Sequence, residues 1–125
     1  MDNNILSVSG VNKYIKMVFD KDTFLNKISI RGEITNFKAH YTGHLYFTLK
    51  DETSTIKCVM FKSFASNIKF KLNDGMKVVI DGTISVFERD GSYQLYCKSI
   101  LPEGVGALYL AYEELKKKLS LKRIF

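Results

Sequence analysis

Fourteen residues, 37-FKAHYTGHLYFTLK-50, interleave cations with flat rings: Lys38, His40, Tyr41, His44, Tyr46 and Lys50. Lys57, Phe61 and Lys62 follow shortly after. A basic track beside exposed rings is the equipment that holds a single strand of nucleic acid, phosphates on the cations and bases on the rings. Each residue also has a plainer reading. Lys50, Lys57 and Lys62 could be ordinary surface charge, Tyr41 and Tyr46 surface decoration, and Phe61 a cover for the edge of a neighbouring helix.

Other chemistries find less support. His40 and His44 lie four apart across turn-like Thr42-Gly43 with no cysteine or second carboxylate at ligand spacing, so a zinc site is not expected. His44, Asp51 and a serine could be imagined as a hydrolytic set, but neither a G-x-S-x-G elbow nor a pair of carboxylates accompanies them. Gly104-Val-Gly106 lacks the third glycine of a dinucleotide fingerprint, and no P-loop is present. The expectation is binding without catalysis and without a cofactor. Cys58 and Cys97 stand alone in strand-like sequence and read as reduced core thiols.

Period-two alternation supplies the elements that must carry these side chains. Strands are expected over 27–37, 44–50, 55–61, 76–87 and 92–100, with Ile28, Ile30 and Ile34, then Leu45, Phe47 and Leu49, then Ile56, Cys58 and Met60 facing inward. Val59 and Lys57 fall in the outward phase, and Tyr93 falls with Leu95 in the inward one. Gly32 and Gly82 occupy inward positions, where a missing side chain permits bending or close passage of a neighbouring strand. Phe37 is out of phase, which predicts a bulge or strand end. A helix over 7–20 is capped by Ser7 and shows an apolar face of Val8, Val11, Tyr14 or Ile15, and Val18. A small helix is expected in 62–70, with Phe64, Ile68 and Phe70 turned inward, and a further helix over 107–125 beyond a glycine joint.

Five antiparallel strands with internal glycines and a helix between the third and fourth describe a mainly β, five-stranded OB-fold barrel, flanked by an N-terminal and a C-terminal linking helix. Residues 1–103 would form the barrel domain, and 104–125 the joint and the start of a helix leading elsewhere. In such a barrel the second and third strands and the first-to-second and fourth-to-fifth loops make the usual binding surface. That adds Arg31, Phe87, Arg89 and Tyr96 to the candidates.

With 125 residues the chain has room for one core. Its formal charge of +6 permits a polyanionic partner. The charge is localised: across 38–77 seven lysines face Asp51, Glu52 and Asp74, for +4, whereas 78–103 carries −2. No apolar run approaches the roughly 20 residues of a membrane span, and Met1-Asp-Asn-Asn4 does not start a secretory signal, so a cytoplasmic location away from membranes is expected.

The stretches 5-ILSVSGVNKYIK-16, 31-RGEITNFKAHYTGHLYFTLKDETSTIKCVMFK-62, 74-DGMKVVIDGTISVFERDGSYQL-95 and 106-GALYLAYEELKKKL-119 together resemble the amino-terminal region of the large subunit of bacterial exodeoxyribonuclease VII. Thr35 and Thr42 stand where that family has serine, and Lys62 where arginine is common, a change that keeps the charge but loses the planar fork. The resemblance implies an OB-fold that binds single-stranded DNA. It also implies a parent enzyme that degrades such DNA from either end to acid-soluble oligonucleotides without a strict need for a divalent metal. The catalytic domain and the helical region carrying small subunits would lie in the rest of that polypeptide. A competing expectation is a protein-interaction or assembly module, self-associating through its terminal helices.

Overall fold

The computed structural model describes residues 4–103. The helix expected over 107–125 and the joint before it lie outside the described residues.

Helix α1 spans Val8–Lys21, and the Ser7 hydroxyl accepts the Gly10 N–H at 3.0 Å to start it. Asp22 ends α1 and caps a second helix that the sequence reading lacks, α2 (Thr23–Asn26), by accepting the Phe24 and Leu25 N–H groups at 2.9 Å each. Strands β1 (Ile28–Ala39), β2 (Leu45–Lys50) and β3 (Thr55–Met60) follow, then helix α3 (Lys62–Ala65) and strands β4 (Lys77–Phe87) and β5 (Ser92–Pro102). The strands close into a barrel in the order β1-β2-β3-β5-β4. Every neighbouring pair is antiparallel except β3 and β5, which meet in parallel through only two register pairs, Cys58↔Leu95 and Val59↔Tyr96. This is the five-stranded OB-fold barrel expected from the order of elements.

Inward positions follow the predicted phase: Ile34, Phe47, Leu49, Cys58, Met60, Val78, Ile80, Ile84 and Leu95 are all buried in one cluster. Both cysteines are free and buried. A Cβ at Gly32 would stand 3.0 Å from the Lys50 carbonyl oxygen, and one at Gly82 would overlap the Tyr96 carbonyl, so the close strand passage expected of these glycines is present. Phe37 follows a bulge at Asn36, whose φ of 53° lies in the left-handed region, and the register slips between Thr35 and Lys38. The slip turns Phe37 inward against Phe47, ring centroids 6.3 Å apart, and places Lys38 outward opposite Tyr46.

Three expectations are corrected. Tyr93 shares the phase of Leu95 but is 57% exposed, because at its level the barrel has already ended; its ring lies 6.2 Å from Phe19 of α1. Val59 points outward as expected yet is only 8% exposed, being flanked by Tyr46 on β2 and Tyr96 on β5. The apolar stripe of α1 does not face the barrel: Val8, Val11, Tyr14, Ile15 and Val18 are all exposed. The helix docks through a neighbouring face, with the Asn12 amide donating to the Glu88 carbonyl at 2.9 Å and the Ser85 hydroxyl donating to Asp20 at 2.6 Å. Phe19 alone among its apolar residues packs against the core. Helix α3 is shorter than expected, but Phe64, Ile68 and Phe70 do pack inward.

Candidate nucleic-acid interface

Antiparallel partners project to the same side of a sheet, so the pairings build one outer face across three strands. Lys38 faces Tyr46, Tyr46 faces Val59, and Val59 faces Tyr96; one rung along, Thr48 faces Lys57. Two groups of rings flank this row. At the β1–β2 loop the His40 ring sits 4.3 Å from Tyr41 and edge-on to Tyr46 at 6.0 Å. At the end of β3, Phe61 stands edge-on to His44 at 5.4 Å and stacks on Tyr96 at 5.9 Å with a 23° interplanar angle. Tyr41 is the free tip of the loop, 93% exposed.

Hydrogen bonds fix the loop that carries these rings. Nδ1 of His40 meets the Thr42 hydroxyl at 2.8 Å, and the Gly43 N–H donates to the His40 carbonyl at 2.9 Å. Nδ1 of His44 accepts the Lys62 N–H at 2.9 Å, so in the neutral ring the proton sits on Nε2. That bond supplies a partner for the first turn of α3, whose own N-cap Phe61 makes none through its side chain. The ring against Phe61 is therefore held at both β2 and α3.

Tyr96 is half-buried, and burial, with a smaller push from Asp20 and opposed by Lys16, raises its phenol above the ordinary tyrosine value. It stays a neutral platform and hydrogen-bond donor at neutral pH. The Lys16–Asp20 pair, 2.6 Å apart, is tied by the Ser85 hydroxyl to β4, two positions from Thr83, the partner of Tyr96, so α1 borders the face beyond β5. Lys16 and Val59 were absent from the sequence reading of the site. Lys16 carried no local signal, since its place beside Tyr96 depends on how α1 docks; Val59 could have been found by combining strand phase with the parallel β3–β5 register.

Lys38, His40, Tyr41, His44, Tyr46, Lys57, Phe61, Lys62 and Tyr96 are thus gathered on one continuous surface. Arg31 is not, and Lys50, though in the outward phase of β2 one rung past Thr48, is turned to the edge of that face. Arg31 pairs with Glu103 at 2.6 Å and Lys50 with Glu33 at 3.8 Å, and they line a separate cleft with Lys77 and Glu52. Phe87 and Arg89 sit at the β4–β5 hairpin, anchored to α1 through Asn12 and Glu88 rather than to the aromatic row.

A closed five-stranded barrel of this topology with rings and cations on its β2–β3–β5 face defines a class of protein, and residues 6–101 match a family described as an OB-fold nucleic acid binding domain, to which the chain belongs. More particularly, the chain matches the amino-terminal part of exodeoxyribonuclease 7 large subunits. It is 56% identical to that of Ruminiclostridium cellulolyticum over 98% of this chain and 30% of the relative, and 53% identical to that of Clostridium tetani over 97% and 31%. The chain therefore spans about a third of the length of these relatives. Among solved structures it is similar to the second single-stranded DNA binding protein of Mycobacterium smegmatis, with a TM-score of 0.54 at 18% identity over 62% of this chain and 86% of that one, a likeness of fold alone. No helix among the described residues is long and apolar enough to cross a membrane.

Proposed function

We propose that this domain holds single-stranded DNA across the outer face of β2, β3 and β5 for an exodeoxyribonuclease whose strand-cleaving residues lie in the remainder of a longer polypeptide. The observation that carries this reading is the row Lys38–Tyr46–Val59–Tyr96, closed at its ends by the His40–Tyr41 and Phe61–His44 ring pairs. Rings stack on bases of any sequence, whereas Lys38, Lys57 and Lys62 attract phosphates, so binding tolerates sequence and weakens with salt. A blunt duplex hides its base faces and offers nothing to the rings. The division into a barrel over 1–103 and a connecting segment over 104–125 belongs to the same reading. So do a cytoplasmic site of action and assembly with small subunits through the rest of the large subunit.

The test is a titration of labelled single-stranded and duplex oligonucleotides at two salt concentrations with the 125-residue chain. Tighter binding to the single strand, falling as salt rises, is expected, with the oligonucleotide recovered at full length with or without magnesium. Equal affinity for duplex, or indifference to salt, would reject the proposal. A second reading, an assembly module, draws on the exposed Val8, Val11, Ile15 and Val18 side of α1. Its partner would be the rest of the large-subunit polypeptide. Absence of any DNA binding would bring this second reading forward.

A further inference from the structure

Beyond the aromatic row the outer face does not stop at Tyr96. Strand β5 continues to Lys98, two residues and roughly 7 Å further along, and there β3 has ended and α3 takes its place. Between α3 and β5 lies a cleft of about 300 Å³. Phe64, Ile68 and Phe70 line one wall, Ile100 and Pro102 the other, and Lys69 and Lys98 stand at its mouth. Both lysines are exposed. Among the described residues neither forms an ion pair; Asp81, across the ladder on β4, is engaged by the Ser99 hydroxyl at 3.4 Å.

The geometry points to this cleft as an additional nucleotide subsite, taking one unstacked base of the single strand that leaves the Phe61–Tyr96 pair. The inference rests on the proposed function and extends it by naming where the strand goes. Three observations carry it. The cleft adjoins the row along β5, since Lys98, the next outward position after Tyr96, is exposed and lines the cleft. Its mouth is doubly cationic where the strand would bring phosphates. Its interior is apolar and near the lower end of the ~300–1,000 Å³ typical of small-ligand pockets, a size and chemistry that suit a single flat ring system more than a folded element. A polar rim is available at Asn67 for the base edge. The bulge in β5 between the Gly82↔Cys97 and Asp81↔Ser99 pairs leaves Lys98 without a partner on β4, and its side chain borders both this cleft and a shallower depression beside Asp81.

The experiment compares the whole chain with the double variant Lys69→Ala/Lys98→Ala and with Tyr46→Ala, using labelled oligo-dT of increasing length at several salt concentrations. A matched series carries abasic units in its terminal positions. For a single strand, every phosphate that the protein ceases to neutralise lowers the salt slope by about 0.7. The double variant should therefore bind more weakly at low salt with a slope reduced by about 1.4, and Tyr46→Ala should weaken binding with the slope unchanged. In the parent, lengthening the oligonucleotide into the cleft should raise affinity more with a base-bearing nucleotide than with an abasic one, by roughly 5- to 150-fold. Equal gains from the abasic series would overturn the base-binding role. A double variant that keeps the parent's affinity and slope, while Tyr46→Ala binds poorly, would overturn the subsite and leave the row standing. Altered hydrogen exchange in 104–125 alone would give the cleft to an intrachain occupant and overturn the subsite as well. A parent chain that ignores single-stranded DNA altogether would remove the reading on which the subsite rests.

Discussion

Adjacent residues on β2 have opposite fates. Phe47 is 4% exposed and packs within the core cluster, whereas Tyr46 faces outward between Lys38 and Val59. Phe47→Ala should cost about 3 to 5 kcal/mol of stability by leaving a cavity. Tyr46→Ala should leave the melting temperature close to the parent's and remove roughly 1 to 3 kcal/mol of binding if a base stacks there. Thermal melts beside oligonucleotide titrations separate the two, and the opposite pattern would mean the strand is turned over. Asp20 carries a pH dependence of its own. Lys16, and after it the Ser85 hydroxyl, hold its carboxyl below the ordinary 3.8, while Asp20 holds Lys16 above the ordinary 10.5. A depressed carboxylate contributes stability that is complete above its unfolded value and lost as pH falls through the folded one. The raised lysine contributes below its unfolded value and loses its share as pH climbs through the folded one. The stability gap between the parent and Asp20→Asn should thus be widest between those limits and close in acid; urea titrations at pH 7 and below pH 3.8 measure it. Both side chains are more than a third exposed, so solvent screening keeps the gap small.

At the scale of elements, what could be read from the sequence is what local periodicity encodes. The five strands declare themselves because one wet face and one dry face leave a two-residue rhythm, and the bulge after Asn36 because Phe37 breaks it. That the β2–β3 candidates share one outer face was legible for the same reason. Tyr93 misleads because phase tells which way a side chain points and not where the barrel ends. Arg31 misleads because its partner, Glu103, lies far along the chain and reaches it only once β5 pairs with β4. Helix α1 misleads most: its apolar stripe is plain in the sequence, yet Asn12 and Asp20 find partners on the β4–β5 hairpin and on Ser85, and these polar bonds orient it with the stripe outward. Asn12→Ala should accordingly loosen the hairpin locally. The bond to the Glu88 carbonyl that it removes is worth about 0.5 to 1.5 kcal/mol, and hydrogen exchange of residues 87–92 should quicken while that of β1 and β2 does not change.

Over the whole molecule the proposed binding face is assembled from segments far apart in the chain. Tyr46 and Lys57 are close in sequence, but Tyr96 arrives beside them only when the barrel closes, and Lys16 only when α1 docks on β4. The lysine-rich span 38–77 supplies β2, β3 and α3, and the net-acidic span 78–103 supplies the hairpin that α1 covers. A polyanion is therefore drawn toward the β2–β3–α3 side and away from Glu88 and Asp90. Folding and the formation of the site are one event.

The two-rung junction of β3 with β5 gives the barrel a seam, and the seam has its own reporters. Cys58 lies on one lip and Cys97 just beyond the other, both sealed from water. Hydrogen bonding to the Cys58 thiol and burial push the Cys97 thiol well above the ordinary value, so in the closed barrel it is a poor nucleophile. A thiol reagent can reach these sulfurs only while the lips part, which makes the labelling rate a clock for that opening. On the proposed path, a strand laid over Tyr46, Val59 and Tyr96 would cross the seam at right angles to its length and stitch it shut. Adding oligo-dT should slow labelling of both cysteines in proportion to occupancy; a rate indifferent to saturating oligonucleotide would mean that the strand lies elsewhere or that the barrel opens along a different line.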